Sequence, residues 1–107
     1  MIRAEARMQS GDLDGAMADL NKIRGRAGLP DLAGLNGEEL ETALLRERRY
    51  ELFTEFGHRW FDLKRFQKAG EVLGPLKPNW REYHLLFPIP QSELLANPNL
   101  NPQNDGY

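Results

Sequence analysis

The sequence has no cysteine, no long apolar run and no excess of charge of one sign, and each absence excludes a class of protein. Without cysteine there is no disulfide framework, no thiolate nucleophile and no cysteine-ligated zinc site. No stretch approaches the roughly 20 apolar residues that a membrane-spanning helix needs. The 14 basic and 16 acidic residues are mixed along the chain, so there is no basic stripe to bind phosphates. Nucleic acid is therefore not an expected partner.

The length and composition favour one soluble globular domain covering residues 1–107. The chain has 107 residues, of which 40% are hydrophobic and 28% charged, and this length suffices for one modest core. The residues after Met1 favour a helix and lack the charged, apolar and small-residue regions of an export signal. We expect any export signal of the native protein to lie outside this sequence.

Residues 1–29 predict a helical hairpin. A first helix over residues 2–9 is broken by Ser10 and Gly11, after which Asp12 or Asp14 can cap a second helix. Apolar residues then recur at steps of three and four, as on one face of a helix: Leu13, Ala16, Met17, Leu20, Ile23 and Ala27. Gly28 can close this helix in the left-handed conformation, and Pro30 prevents it from continuing.

The third predicted helix is the longest in the chain. The Asn36 side chain can cap its start, and the Glu39 side chain can bond back to the Asn36 N–H. The helical pattern continues to about Phe56. Gly57 interrupts the pattern, and a shorter helix is expected to follow, to about Lys68.

Residues 70–107 have a different character. Glycine, proline and alternating aromatics predict an extended excursion up to Pro90, with one or two further helical turns at Gln91 to Ala96. The last residues, rich in asparagine and proline, predict coil. The expected architecture is mainly α: a tetratricopeptide-like helical hairpin (1–29), a long and a shorter helix (36–69), and an irregular C-terminal region (70–107).

Three carboxylates lie on one face of the third helix, since Glu47, Glu51 and Glu55 are spaced by four residues. One hypothesis is that these carboxylates act as acid–base groups or as metal ligands. Glu55 and His58 also have the Glu-x-x-His spacing of di-iron proteins. Such a site needs two of these motifs and glutamates from two other helices, whereas the only other histidine is His84 in the excursion. The ligand set for an enzyme of this kind is incomplete.

The other hypothesis is structural. Glu51, Glu55 and Asp62 each have an arginine three or four residues away, and aromatic residues alternate with the charges, so we predict a partly buried network of Arg–carboxylate pairs. Its predicted members are Glu47, Arg48, Glu51, Glu55, Arg59, Asp62 and Arg65. No serine has a histidine and an acid arranged around it, and no glycine-rich loop follows a strand. We therefore predict no catalytic residue, no metal and no cofactor.

Four motifs in order along the chain resemble the SusD/RagB family of outer-membrane nutrient-binding proteins. They are ADLNKIR with AGL at residues 18–29, RRYEL with EFGHRWFDLKR at 48–65, LFPIP with SE at 86–93, and NPNL with QNDGY at 97–107. One small departure is that Phe56 stands between Glu55 and Gly57, where many members have the glutamate directly before the glycine. Family members are several times longer, so the chain resembles only their C-terminal part.

The resemblance implies a lipoprotein on the outer face of the outer membrane, with its lipid anchor outside this sequence. It implies a TonB-dependent transporter as protein partner, an oligosaccharide or polysaccharide as ligand, and no catalysis. Trp80 and Tyr83 are the candidate ligand-binding residues, because flat aromatic faces beside polar groups suit a sugar ring. Two alternatives remain at this stage. Trp80 and Tyr83 can instead close the small core, and the N-terminal hairpin can belong to a tetratricopeptide-type protein-interaction module.

Overall fold

The computed structural model describes residues 1–107 and contains six α-helices, two short 3₁₀ helices and no β-strand. It divides into two compact units, Met1–Arg59 and Trp60–Tyr107. The α-helices are α1 (Ile2–Gln9), α2 (Leu13–Arg26), α3 (Gly37–Glu51), α4 (His58–Arg65), α5 (Ala69–Leu73) and α6 (Gln91–Ala96). The 3₁₀ helices are Glu82–Leu85 and Pro98–Leu100. The mainly α prediction is confirmed.

Helices α1 and α2 form the predicted hairpin. The Asp12 carboxylate caps α2 by accepting a hydrogen bond from the backbone N–H of Gly15 at 2.9 Å. Of the predicted apolar stripe of α2, Ala16, Met17 and Leu20 are buried, whereas Leu13 and Ile23 are half-buried and Ala27 is exposed. The buried residues of the first helix are Ala4 and Met8. The hairpin is thus closed by an apolar seam.

A buried carboxylate on α2, that of Asp19, also joins the two helices through ion pairs. Arg3 donates to Asp19 from Nε at 2.7 Å and from Nη2 at 2.5 Å, and Arg7 Nη1 donates to Asp19 at 3.0 Å. The hydrogen bonding from Arg3, together with the positive charges of Arg3, Arg7 and Lys22, lowers the pKa of Asp19, although burial of the carboxylate opposes this. Asp19 therefore stays ionised while it joins the two helices.

The connection from α2 to α3 is held by one asparagine side chain. Asn21 accepts from the Leu32 N–H at 2.8 Å and donates to the Leu32 carbonyl at 2.9 Å. Gly28 ends α2 with a φ of +70°, as predicted, and the Leu29 N–H donates back to the Arg24 carbonyl at 2.9 Å. Two backbone groups of an otherwise irregular segment are satisfied by Asn21 alone.

Two glycines at the end of α2 offer a matched test of backbone conformation. A Cβ at Gly25 or at Gly28 would meet no atom within 4 Å, but only Gly28 has a left-handed φ. We expect Gly28→Ala to lower the free energy of unfolding by about 1–2 kcal/mol, and Gly25→Ala to raise it by about 0.5–1 kcal/mol. Urea unfolding followed by circular dichroism measures both. Equal effects of the two substitutions would contradict the assigned end of α2.

Helix α3 starts with the predicted capping box. Glu39 N–H donates to the Asn36 side chain at 3.0 Å, and the Asn36 N–H donates to the Glu39 carboxylate at 3.0 Å. Its buried apolar face carries Leu40, Ala43 and Leu44. This face completes the core of the first unit.

The end of α3 differs from the prediction. The helix ends at Glu51 and not near Phe56, because Thr54 and Phe56 take left-handed φ values of +63° and +43°. No glycine or proline precedes Gly57 in this stretch, so nothing in the local sequence marks the stop. The apolar periodicity continues through a segment whose backbone is a series of turns.

The second unit contains short elements around a small core of Leu63, Ala69 and Leu94. Helix α4 ends at Arg65, before the predicted end near Lys68, and Gln67 follows with a φ of +55°. The excursion predicted as extended contains the helix α5 and a 3₁₀ turn, whereas the predicted helical turns at Gln91–Ala96 are present. Segments of five residues are too short for periodicity to distinguish helix from coil.

Candidate ligand-binding site

An aromatic cavity lies within the second unit. Its volume is about 530 Å³, which is in the range of small-molecule sites. Its walls are formed by Trp60, Leu73, Lys77, Asn79, Trp80, His84, Phe87 and Tyr107. This aromatic cavity therefore combines four large rings with three polar side chains and one leucine.

The rings of the walls contact one another. Trp60 lies 6.3 Å from Trp80 and 6.0 Å from Phe87, measured between ring centroids. The Lys64 ammonium lies 5.6 Å from the centroid of the Trp60 ring, a cation–π distance. These contacts hold the indole of Trp60 in one orientation on the wall.

Trp80 is held by its backbone and by its own side chain. Its N–H donates to the Lys77 carbonyl at 2.8 Å, its carbonyl accepts from Arg81 Nη1 at 2.7 Å, and its indole N–H reaches Glu82 Oε1 at 3.4 Å. The backbone turn is thereby fixed, and the indole is restrained by one long hydrogen bond at the surface. Trp80 offers a preorganised aromatic surface, which reduces the conformational entropy lost on binding.

Tyr83 is placed differently from Trp80. Its ring packs against His84 at 4.4 Å and against Tyr107 at 5.2 Å, and it does not contribute to the walls. A Cβ at Gly106 would lie 2.4 Å from this ring, so Gly106 leaves the space that Tyr83 occupies. Of the two residues predicted to contact a ligand, the structure places Trp80 on the cavity and Tyr83 against two of its wall residues.

His84 adds a polar group whose second nitrogen is already engaged. Its Nδ1 accepts from the Arg81 N–H at 2.9 Å, so in the neutral ring the proton resides on Nε2. An imidazole fixed in this tautomer can donate a hydrogen bond. In the sequence analysis His84 was the second histidine of the incomplete metal site and one of the polar residues near Trp80 and Tyr83, and Trp60, Phe87 and Tyr107 were not predicted as wall residues.

The C-terminal residues hold the wall segment in place. Gln103 accepts from the Ile89 N–H at 2.7 Å and donates to the Ile89 carbonyl at 2.8 Å, while Asn104 donates to the Phe87 carbonyl at 2.7 Å. The Tyr107 hydroxyl donates to the Leu86 carbonyl at 2.9 Å. Side chains of the tail thus satisfy the backbone of residues 86–89, as a paired strand would.

The charged residues of the central segment form pairs that the spacing alone did not indicate. Glu47, which is buried, pairs with the buried Arg24 of α2, and Glu51 pairs with Arg26 at 2.5 Å. Both arginines come from the neighbouring helix, about 25 residues away in sequence. Such a pairing needs tertiary packing, and periodicity carries no signal for it.

The remaining predicted network members are distributed over both units. Asp62 is buried and accepts from Arg65 at 3.0 Å, at the predicted spacing of three residues. Arg48 is buried, whereas Glu55 is exposed and Arg59 is half-buried. No group of three or more His, Asp or Glu side chains is arranged to hold a metal ion. No helix is long and apolar enough to cross a bilayer.

Comparison with known proteins gives a consistent answer. The model of the SusD family matches residues 1–85. Two curated relatives from Formosa agariphila, SusD-like protein P2 and SusD-like protein P38, are 37% and 36% identical over 100% of this chain. The alignments cover 24% and 22% of these relatives, so the chain spans about a quarter of their length.

The fold has a solved counterpart. The crystal structure of a SusD-like protein from Bacteroides fragilis matches 97% of this chain with a TM-score of 0.78 and 31% sequence identity. The match covers 23% of that protein. The resemblance drawn from the four sequence motifs is confirmed, and the chain belongs to the SusD family.

Proposed function

We propose that this chain is the C-terminal part of a non-catalytic, glycan-binding protein that works at the outer membrane in polysaccharide uptake. The whole protein would face outward on a lipid anchor and pass its glycan to a TonB-dependent transporter. Membership of the SusD family supports this reading. Within the chain, one observation carries it: the aromatic cavity around Trp80.

The cavity has the chemistry that a sugar requires. Aromatic rings pack against the C–H faces of a pyranose, and polar side chains bind its hydroxyls. Trp80 supplies a fixed ring, while Asn79 and His84 supply hydrogen-bonding groups at the same walls. We assign ring stacking to Trp80, and to Tyr83 the support of His84 and Tyr107.

The composition of the walls favours binding over hydrolysis. Glycoside hydrolysis uses a pair of carboxylates flanking the bond that breaks, and the wall residues include no Asp or Glu. The buried carboxylates Glu47 and Asp62 are paired with Arg24 and Arg65. Their pairing supports a structural role for the charged network.

Affinity electrophoresis tests the proposal. The 107-residue chain is run through native gels containing soluble plant and algal polysaccharides, and we expect at least one of them to retard it. Trp80→Ala should weaken that retention about tenfold, equivalent to about 1.4 kcal/mol. Tyr50→Ala is the matched control, since Tyr50 is an exposed aromatic residue in the first unit.

Circular dichroism confirms that each variant is folded before its binding is compared. If Trp80→Ala leaves the retention unchanged, or if Tyr50→Ala weakens it equally, the cavity is not the glycan-binding site. Release of reducing sugar from a retained polysaccharide would contradict the non-catalytic assignment.

A further inference from the structure

The walls of the aromatic cavity carry charge of one sign. Lys77 is the only wall residue with a permanent charge, and no Asp or Glu contributes to the walls. The chain as a whole is weakly acidic, with 16 acidic and 14 basic residues. The cavity therefore has the sign opposite to that of the whole chain, and a local positive charge favours an anionic ligand.

A tight turn places this charge beside the aromatic ring. The Trp80 N–H donates to the Lys77 carbonyl at 2.8 Å, which closes a β-turn with Pro78 as its second residue, a position that proline favours. The Lys77 N–H also donates to the Leu73 carbonyl at 2.8 Å. Lys77, Asn79 and Trp80 are all wall residues. One turn thus fixes the backbone of a cation, an amide and an aromatic ring at the same cavity.

The Lys77 ammonium has no charged partner within the chain. Its side chain is exposed and forms no ion pair. The two acidic residues closest to it in sequence are engaged elsewhere. Glu71 pairs with Lys68 at 3.1 Å, and Glu82, which is not a wall residue, accepts from the Trp80 indole at 3.4 Å. The charge at the cavity is therefore available to a ligand.

The hydrogen-bonding groups of the walls are mainly donors. Lys77 offers three N–H groups and no acceptor. The neutral His84 ring offers its Nε2–H, because its Nδ1 already accepts from the Arg81 N–H, while the Asn79 amide can both donate and accept. A sugar hydroxyl can also do both, whereas a carboxylate or a sulfate ester only accepts. Such an anionic group would form charge-assisted hydrogen bonds with these donors.

We propose that the aromatic cavity selects an acidic sugar, a pyranose that carries a carboxylate or a sulfate ester. The sugar ring stacks on Trp80, and the Lys77 ammonium binds the anionic group. This inference rests on the proposal that the cavity binds a glycan, and it adds the chemical class of the sugar.

Isothermal titration calorimetry on the 107-residue chain tests the selection with matched oligosaccharides. One pair is a galacturonate oligomer and its methyl ester, which has the same sugar rings without the carboxylate charge. The other pair is a sulfated galactan oligomer and its desulfated form. We expect the acidic member of at least one pair to bind about tenfold more tightly than its neutral counterpart. The pair that shows this difference identifies the anionic group as a carboxylate or as a sulfate ester.

Substitutions at Lys77 test whether its charge is responsible. Lys77→Met keeps a long side chain without the charge, and should reduce binding of the acidic member to the level of the neutral one. Lys77→Arg should retain the preference. Lys22→Met is the control, because it removes the same charge from an exposed residue of the first unit. Higher ionic strength should weaken binding of the acidic member more than that of the neutral one.

Equal binding of both members in each pair would overturn the inference, as would a Lys22→Met effect as large as that of Lys77→Met. Failure of this inference is distinguishable from failure of the glycan proposal. If a neutral polysaccharide is retained through Trp80 and Lys77→Met leaves that retention unchanged, only the selection of acidic sugars is wrong. If neither a neutral nor an acidic glycan binds, both proposals are wrong.

Discussion

Replacing Glu47 with glutamine is expected to lower the free energy of unfolding of the first unit by about 3–5 kcal/mol. The Glu47 side chain is 4% exposed and its partner Arg24 is 9% exposed, so neither charge can be solvated by water. Glutamine keeps the volume of glutamate but removes the charge that balances the guanidinium. The loss therefore measures an uncompensated buried cation and not a cavity.

Arg24 makes the expected loss large because it links three segments. It pairs with Glu47 of α3 from its position on α2, and its Nε donates to the Pro30 carbonyl at 2.8 Å. No buried side-chain nitrogen or oxygen lacks a partner in the folded chain. The Glu47→Gln substitution therefore leaves the buried Arg24 guanidinium without a charged partner. This happens where α2, α3 and the segment that connects them meet.

A second ion pair one turn along α3 gives a matched control. Glu51 pairs with Arg26, but the Arg26 side chain is 70% exposed. Glu51→Gln should cost less than about 1 kcal/mol, as exposed pairs do. Urea unfolding of both variants measures the difference. Replacing Arg24 by methionine together with Glu47 by leucine should recover most of the loss, because no charge is then left unpaired. Similar costs for the two glutamine variants would contradict the buried role of Glu47.

Replacing Gln103 with alanine is expected to destabilise the second unit by about 2–3 kcal/mol. Its side chain makes three hydrogen bonds: the amide oxygen accepts from the N–H groups of Ile89 and Asn104, and the amide nitrogen donates to the Ile89 carbonyl. A net hydrogen bond contributes about 1 kcal/mol, and alanine provides none of the three. The backbone of Ile89 would lose both of its partners in the tail at once.

The same substitution should also weaken glycan retention, because it releases the segment that carries Phe87 and the tail that carries Tyr107. Tryptophan fluorescence during urea unfolding reports on the second unit, where Trp60 and Trp80 reside. Gln91→Ala is the control, since Gln91 is exposed on the first turn of α6. A Gln103→Ala protein as stable as this control would show that the tail does not hold the wall.

The sequence predicted the helices of the first unit well because their signals are local. The stop at Gly28 and the capping box of Asn36 and Glu39 depend on residues within one turn of each other. The end of α3 was placed about five residues too late, since the left-handed backbone at Thr54 has no local marker. A helix start or end can be predicted from sequence when a capping residue or a glycine marks it. It cannot be predicted when no such residue is present.

The candidate site was only partly predictable. Trp80 was identified from its flat ring beside polar neighbours, but Trp60, Phe87 and Tyr107 are 20, 7 and 27 residues from it in sequence and converge only on folding. For Tyr83 the sequence left ligand contact and packing open, and the structure places its ring against His84 and Tyr107. Whether an aromatic ring faces a ligand or packs against other side chains depends on its neighbours in the folded protein. The order of residues in the sequence does not specify those neighbours.

The sequence by itself determined the family and the helical hairpin of this protein, since both are encoded in short ordered motifs and in local periodicity. Tertiary structure alone decided that Glu47 pairs with Arg24, that Gln103 holds Ile89, and that four aromatic rings enclose one cavity. Each of these contacts joins residues separated by many positions in the chain. Their formation depends on how the helices and the tail pack. Because the paired groups are buried, losing one partner costs more free energy of unfolding than it would at the surface.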